Sequence, residues 1–177
     1  MRIILFILLS WSSQLFAQSN IYDIESHSID SFDIALKNFK GRKMVIALAS
    51  LENLNKGSLK FFDSLQSAYP EMKVLVIPSQ DSVTEEGKQI IESARENPVK
   101  RSAIFTPVII AKDKSKEKNR LVKYLTDVKE NAHFDVVYNN ELQMFVVSES
   151  GYLYAVIDSP VSAKALHEIL TQKDVTQ

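Results

Sequence analysis

The chain has 177 residues, of which 45% are hydrophobic and 24% charged, a composition typical of one folded globular domain. Its 21 basic and 22 acidic side chains leave a formal net charge of −1, so no global field attracts nucleic acid or an anionic membrane, and only a local patch could do so. Cysteine is absent, which excludes disulfides, thiolate metal sites and thiol catalysis. The histidines, His27, His133 and His167, form no ligand pair at helical spacing, so zinc chemistry is disfavoured.

The first residues have the pattern of a signal peptide. Arg2 supplies a positive charge, the apolar run from Ile3 to Leu9 is too short to span a bilayer, and Leu15 to Ala17 offers a cleavage site before Gln18. We therefore predict a signal peptide over residues 1–17, a single domain over residues 18–177, and a periplasmic or secreted protein without stable membrane insertion. The one tryptophan, Trp11, lies in the segment that would be removed, so the mature chain should contain neither Trp nor Cys.

The first core elements of the mature chain are predicted to be a strand, a helix and a second strand. Met44 to Ala49 is a continuous apolar run, as expected of a strand buried on both faces. The segment KGSLKFFDSLQSAYP then has apolar residues at helical spacing and ends in a proline. Lys73 to Pro78 is a second apolar run. Because the connections are short, these elements predict a βαβ unit with parallel strand pairing.

The remaining elements complete an α/β pattern. Thr84 to Pro98 has the signals of a capped helix, and Leu121 to Val128 is predicted to be a shorter one. Gln143 to Asp158 is typical of two strands around a turn at Ser150-Gly151. Ser162 to Gln172 closes the chain as an amphipathic helix. The order βαβ, helical connection, ββα predicts a thioredoxin-like three-layer sandwich, in which helices flank a central mixed sheet.

Short motifs near the start of the mature chain resemble the glutathione peroxidase family. The family pattern begins Ile-Tyr-Asp, passes through a small hairpin to a Lys/Arg-Gly-Lys turn, and enters a strand that ends Val-Ala-Ser. Here these features are Ile21-Tyr22-Asp23, Gly41-Arg42-Lys43 and Leu48-Ala49-Ser50. The resemblance continues in VLVIPSQD, in LVKYL and in the last hairpin and helix. It implies an N-terminal β-hairpin in addition to the predicted sandwich.

Carried over residue by residue, the resemblance implies a lost active site. These peroxidases reduce hydroperoxides with a cysteine or selenocysteine in the loop after the first core strand, and Gln, Trp and Asn side chains activate it. The nucleophile position falls on Glu52 and the Gln position on Asp81, with Gln80 as a one-residue slip. The Trp and Asn positions fall near Asn140 and Glu141. Every member of the set is replaced, so neither catalytic residues nor a cofactor are expected.

Three interpretations of function follow from this pattern. The first is a catalytically degenerate module that binds an unknown protein or small molecule and no nucleic acid. The second, implied by the resemblance alone, is a peroxidase-class protein of the oxidative-stress response. The third is a divalent-cation site built on Glu52, Asp81 and Glu141, since oxygen ligands suit Ca²⁺ and Mg²⁺. Three solvated carboxylates are the plainer alternative to such a site.

Two loops carry further expectations. Glu52 is predicted to lie at or just before the start of the helix after the first core strand, where free backbone N–H groups favour an ionised carboxylate. The run from Lys112 to Arg120 places a basic residue at every second position. Such a run is either a contact for an anion or partner, or a solvated loop.

Overall fold

The structure, a computed structural model, describes most of the predicted domain. The described residues are 20–27, 33–50, 53–79, 85–96, 103–104, 118–138, 142–158 and 162–173. The predicted signal peptide and most of the basic run that starts at Lys112 lie outside them. Export, the cleavage site and the role of the basic run therefore stay predictions.

Seven strands and five α-helices are found within these residues. The strands are β1 (Glu25–His27), β2 (Asp33–Ala35), β3 (Met44–Ser50), β4 (Lys73–Ser79), β5 (Ala103–Ile104), β6 (Gln143–Val147) and β7 (Leu153–Ile157). The helices are α1 (Lys56–Ala68), α2 (Glu85–Glu96), α3 (Arg120–Thr126), α4 (Val128–Asn131) and α5 (Ala163–Thr171). Two short 3₁₀ helices, Ile21–Asp23 and Leu36–Phe39, precede β1 and β3.

Five of the strands form one mixed sheet in the order β5-β4-β3-β6-β7. β3 pairs parallel with β4, where Ser50 lies beside Ser79, and antiparallel with β6, where Leu48 lies opposite Gln143. β4 also pairs parallel with β5, and β6 pairs antiparallel with β7. β1 and β2 form a separate antiparallel hairpin. The predicted βαβ and ββα halves and the N-terminal hairpin are therefore confirmed, whereas β5 was not predicted.

The central sheet is buried on both faces, because its middle strands are nearly continuous apolar runs and successive side chains point to opposite faces. All seven residues of β3 are buried. The odd-numbered residues of β3 from 45 to 49 belong to the same core cluster as α1, α2 and α5. Its even-numbered residues from 44 to 48 pack with α3 and the two 3₁₀ helices. Helices thus cover both faces, which confirms the predicted three-layer sandwich.

The single helix predicted from Leu121 to Val128 is instead two helices, α3 and α4, that meet at Asp127. Asp127 has extended backbone angles, φ −112° and ψ 120°, so a helix cannot pass through it. Its carboxylate accepts a hydrogen bond of 2.9 Å from the backbone N–H of Lys129 and so caps α4. The prediction was wrong here because an aspartate side chain competes with the helix for backbone hydrogen bonds.

Lys43, in the turn before β3, ties the last helix to the sheet. Its side chain is only 6% exposed, and its Nζ donates hydrogen bonds to the carbonyls of Leu170 (2.9 Å) and Gln172 (2.6 Å). Its Nζ also lies 5.3 Å from the centre of the Tyr154 ring. A cation at the carboxyl end of α5 satisfies carbonyls that no helical N–H reaches and suits the negative end of the helix dipole.

The turn between β6 and β7 is held from the other side of the sheet by α3. The Tyr124 hydroxyl donates a hydrogen bond of 2.9 Å to the Gly151 carbonyl and accepts one of 3.3 Å from the Leu153 backbone N–H. Burial raises the pKa of Tyr124 to about 12, so the hydroxyl keeps its proton at physiological pH. The predicted turn at Ser150-Gly151 is confirmed, and Gly151 has the positive φ of +92° that such a turn needs.

Candidate functional site at the carboxyl edge of the sheet

The carboxyl ends of β3 and β4 and the start of β6 meet at one edge of the sheet. Ser50, the last residue of β3, lies beside Ser79 of β4, and Leu48 lies opposite Gln143 of β6. We call this region the carboxyl edge and define it by Ser50, Ser79 and Gln143. It is where open α/β sheets commonly bind ligands.

The four residues that match the family's catalytic positions all flank this edge in sequence, and all lie outside the described residues. Glu52 follows Ser50 by two positions, and Asp81 follows Ser79 by two. Asn140 and Glu141 precede Gln143. The strand register therefore brings the described neighbours of all four together, while the positions of the four side chains stay predictions.

A tight turn follows β3. The backbone N–H groups of Asn53 and Leu54 both donate to the Ser50 carbonyl at 3.0 Å, and Asn53 N also lies 3.3 Å from the Ser50 hydroxyl. Ser50 is fully buried and Leu54 is 1% exposed. The buried Ser50 thus holds the start of this turn through hydrogen bonds that its carbonyl and its hydroxyl accept. A serine hydroxyl is hardly ionised at neutral pH, so Ser50 is not a replacement for a thiolate.

Helix α1 begins at Lys56, where the predicted helical segment starts, and caps itself. The Asn55 side chain accepts hydrogen bonds from the backbone N–H groups of Gly57 (2.9 Å) and Ser58 (3.0 Å), and the Ser58 hydroxyl accepts one of 2.9 Å from Asn55 N. This reciprocal capping box leaves two fewer free N–H groups at the start of α1. Glu52 precedes the N-cap Asn55 by three positions and lies outside the described residues, so its predicted place beside the helix start stays a prediction.

Gln143 is a buried polar side chain that sequence reasoning missed. It is 1% exposed, and its Nε2 donates to the Asp158 carboxylate at 2.8 Å and to the Val137 carbonyl at 3.4 Å. Its Oε1 has no hydrogen-bond partner among the described residues. The only signal in the sequence was an amide at the start of an otherwise apolar strand. This side chain fixes the entry to β6, immediately after Asn140 and Glu141.

Metal ligands do not cluster within the described ranges: no three His, Cys, Asp or Glu side chains there lie close enough together to hold an ion. Of the histidines, His133 and His167 are exposed, and His167 Nδ1 lies 2.7 Å from the Tyr69 hydroxyl. The three acids proposed as cation ligands fall outside these ranges. None of the described helices combines the length and the apolar character that crossing a bilayer requires.

Comparison with known proteins identifies the fold, through solved structures, but no relative by sequence. No family model matches the chain, and no curated protein matches it. Among solved structures, T. cruzi GPX1 superposes with a TM-score of 0.59 at 11% identity over 86% of this chain and 94% of that one. A thiol:disulfide interchange protein of the thioredoxin family from Chlorobium tepidum TLS gives a TM-score of 0.58 at 12% identity over 86% and 94%. The chain has the thioredoxin-like fold.

Glutathione-peroxidase-like and thioredoxin-like proteins are both represented among the structural neighbours. The apo form of Trgpx, like T. cruzi GPX1 a glutathione-peroxidase-like structure, has a TM-score of 0.58 at 12% identity over 86% of this chain and 93% of that one. The predicted fold and the peroxidase-like resemblance of the fold are therefore confirmed. At 11% and 12% identity these similarities show a shared architecture, and the activity has to be argued from this chain's own residues.

Proposed function

We propose that the protein is an exported thioredoxin-like binding module that works without thiol chemistry. One observation carries the proposal: the chain has the thioredoxin-like fold of peroxidase-like and interchange proteins, yet it contains no cysteine. Hydroperoxide reduction by that family needs a sulfur or selenium atom that cycles through oxidised states, and no other side chain here replaces it. We expect the scaffold to bind a protein or a small molecule at the carboxyl edge.

The hydrogen bonds around the carboxyl edge support a role in binding rather than a loop without function. Ser50 and Gln143 are buried polar side chains with defined hydrogen bonds, and Asn55 and Ser58 cap the helix that begins there. Hydrogen bonds of this kind pre-organise the described part of the carboxyl edge, and a pre-organised surface loses less entropy when a partner binds. Export is supported by Arg2, the apolar run that follows it and the cleavage pattern at Ala17.

The proposal predicts that the mature protein has no hydroperoxide reductase activity. Hydrogen peroxide or an organic hydroperoxide is supplied with glutathione or thioredoxin as the reductant, and a glutathione peroxidase serves as the positive control. Turnover should equal that of a heat-denatured sample. Metal-free turnover above the heat-denatured control would instead support the peroxidase-class interpretation with a role in oxidative stress.

Export is a separate prediction. Mass spectrometry of the same protein, purified from the host that exports it, should give an N-terminus near Gln18.

A divalent-cation site is the second candidate, and the strand register favours it. Ser50 lies beside Ser79, and in sequence Glu52 and Asp81 each follow one of these serines by two positions. Glu141 precedes Gln143, the first residue of β6, by two positions. Oxygen ligands from three loops at such an edge suit Ca²⁺.

Thermal melts test the cation site. Millimolar Ca²⁺ should raise the melting temperature of the wild type, and the rise should disappear in Glu52→Gln. It should persist in Glu92→Gln, which neutralises an exposed acid of α2. Mass action accounts for the expected rise, because only the folded state holds the three acids together. The same melting temperature with and without Ca²⁺ would remove this candidate.

A further inference from the structure

A second region of interest lies at the amino ends of β3 and β4, at the opposite end of the strands from the carboxyl edge. β3 has seven residues, so the two ends are roughly 20 Å apart. Met44 of β3 lies beside Lys73 of β4 in the parallel register. Arg42 lies in the bend just before β3, where its backbone N–H donates to the Phe39 carbonyl at 2.9 Å. The next residue, Lys43, accepts a hydrogen bond of 2.9 Å from the Lys73 backbone N–H. The backbone therefore brings Arg42 and Lys73 to the same end of the sheet.

Two more cations and an aromatic ring lie in the segment just before Arg42. Lys37 and Lys40 are exposed in the 3₁₀ helix and turn that lead to β3, and Arg42 is exposed as well. Lys73 is partly buried, with its Nζ 5.9 Å from the centre of the Phe39 ring. We call this group the amino-end patch and define it by Lys37, Phe39, Lys40, Arg42 and Lys73.

The charges of the amino-end patch are not neutralised by the described carboxylates. No ion pair within the described residues includes Arg42 or Lys73. The nearby acid Glu149 lies 3.9 Å from Lys43, whose Nζ is already bound to carbonyls at the end of α5. The pKa of Lys73 is lowered, first by burial and then by the positive charge of Arg42. The two positive charges thus interact with each other, and no described carboxylate forms an ion pair with either.

We propose that Arg42 and Lys73 form a binding site for an oxyanion group, a phosphate or a sulfate, with Lys37 and Lys40 at its rim. A guanidinium presents paired N–H donors that match two oxygens of such a group, and a lysine ammonium adds a compact charge. The Phe39 ring contacts the Lys73 ammonium through a cation–π interaction. The site uses none of the residues of the carboxyl edge, so it does not depend on the function proposed there.

The first test compares inorganic phosphate with chloride. Phosphate should raise the melting temperature of the wild-type mature protein beyond the rise that sodium chloride gives at the same ionic strength. The excess should disappear in the double variant Arg42→Gln/Lys73→Gln. It should remain in Lys60→Gln/Lys129→Gln, which removes two exposed cations elsewhere and so changes the net charge equally. Equal effects of phosphate and chloride, or an excess retained in the first variant, would overturn the proposal.

Loss of the phosphate effect can be separated from unfolding. Since the pKa of Lys73 is lower in the folded than in the unfolded chain, its charge opposes folding at neutral pH, and this cost is lost only as the pH rises through the lowered pKa. Removing the charge should therefore leave the melting temperature without phosphate unchanged or raise it. A large fall in that temperature would contradict the like-charge arrangement on which the site rests.

The source of the oxyanion is identified by sedimentation with vesicles. One set contains phosphatidylglycerol in phosphatidylcholine, and the other contains phosphatidylcholine alone. Co-sedimentation with the first set only, lost in Arg42→Gln/Lys73→Gln, would identify a lipid headgroup as the source. A phosphate effect without vesicle binding would identify a free oxyanion, which supports the same site. Equal vesicle binding by the wild type and the double variant would contradict a role for Arg42 and Lys73.

Discussion

Replacing Gly151 with alanine is expected to lower the free energy of unfolding by about 3–4 kcal/mol, measured by urea denaturation. Gly151 has φ +92°, a conformation that costs an L-residue roughly 1–2 kcal/mol. An added Cβ would also lie 2.6 Å from Cε2 of Tyr22 and in direct overlap with the Asn20 side chain. Both residues would have to move, and the hydrogen bonds that they make would be lost at roughly 1 kcal/mol each.

Those hydrogen bonds fasten the start of the described chain to the β6–β7 turn. Asn20 Nδ2 donates to the Ser150 carbonyl at 2.9 Å, and the Tyr22 hydroxyl donates to the Glu149 carbonyl at 2.9 Å. Gly41→Ala is the matched control, because Gly41 has φ +81° but nothing within 4 Å of the added Cβ. Gly41→Ala should therefore lower the free energy of unfolding only by the backbone strain that it introduces, about 1–2 kcal/mol. Equal losses at the two glycines would show that the overlap with Asn20 and Tyr22 has no energetic effect.

Asn131→Ala is expected to cost about 3–5 kcal/mol, because one fully buried amide satisfies four backbone groups. Its Nδ2 donates to the carbonyls of Tyr124 (2.9 Å) and Phe134 (3.0 Å). Its Oδ1 accepts from the N–H groups of His133 (2.8 Å) and Phe134 (2.7 Å). Alanine leaves these groups without the side chain that joins the end of α4 to the segment leading to β6. Chemical denaturation monitored by far-UV circular dichroism measures the loss.

Asn38→Ala is the control for that experiment. Asn38 is exposed in the 3₁₀ helix before β3, so the substitution should change stability by less than about 0.5 kcal/mol. If Asn131→Ala and Asn38→Ala have the same small effect, the hydrogen bonds of Asn131 contribute nothing net to stability. The position matters for function too, since the segment after Asn131 leads to Asn140, Glu141 and the carboxyl edge.

Elements with strong local signals were predictable from the sequence. Met44 to Ala49 and Lys73 to Pro78 are apolar runs bounded by polar residues, and both are central strands in the structure. The last hairpin and helix likewise have turn and capping residues where the structure uses them: Gly151 has a positive φ, and Ser162 caps α5 through a 3.2 Å bond from Ala165 N. Each of these features depends on neighbours in sequence, which explains the agreement.

The start of α1 shows how two local signals compete. The sequence contains a capping pattern, Asn55 followed three residues later by Ser58, but the family resemblance drew attention to Glu52. In the structure the short-range hydrogen bonds of Asn55 and Ser58 fix the helix start. The family motif indicated this loop, and the cap that starts the helix is formed by Asn55 and Ser58.

Features built from distant parts of the chain could not be predicted. The Lys43 ammonium binds the carbonyls of Leu170 and Gln172, more than a hundred residues away in sequence. Gln143 donates to Asp158, the residue that follows β7. The pairing of β5 with β4 has the same origin, since two residues give no periodic signal. Only the register and the packing of the folded sheet bring such groups together.

Single-turnover consumption of hydrogen peroxide tests the central claim, that this thioredoxin-like scaffold works without thiol chemistry, most directly. The mature, metal-free protein is mixed with a stoichiometric amount of peroxide in the absence of any reductant, and the peroxide that remains is measured over time. The account predicts that peroxide disappears no faster than in a sample of heat-denatured protein. Rapid consumption of one equivalent by the folded protein alone would show a peroxide-reactive group in the chain and would contradict the account.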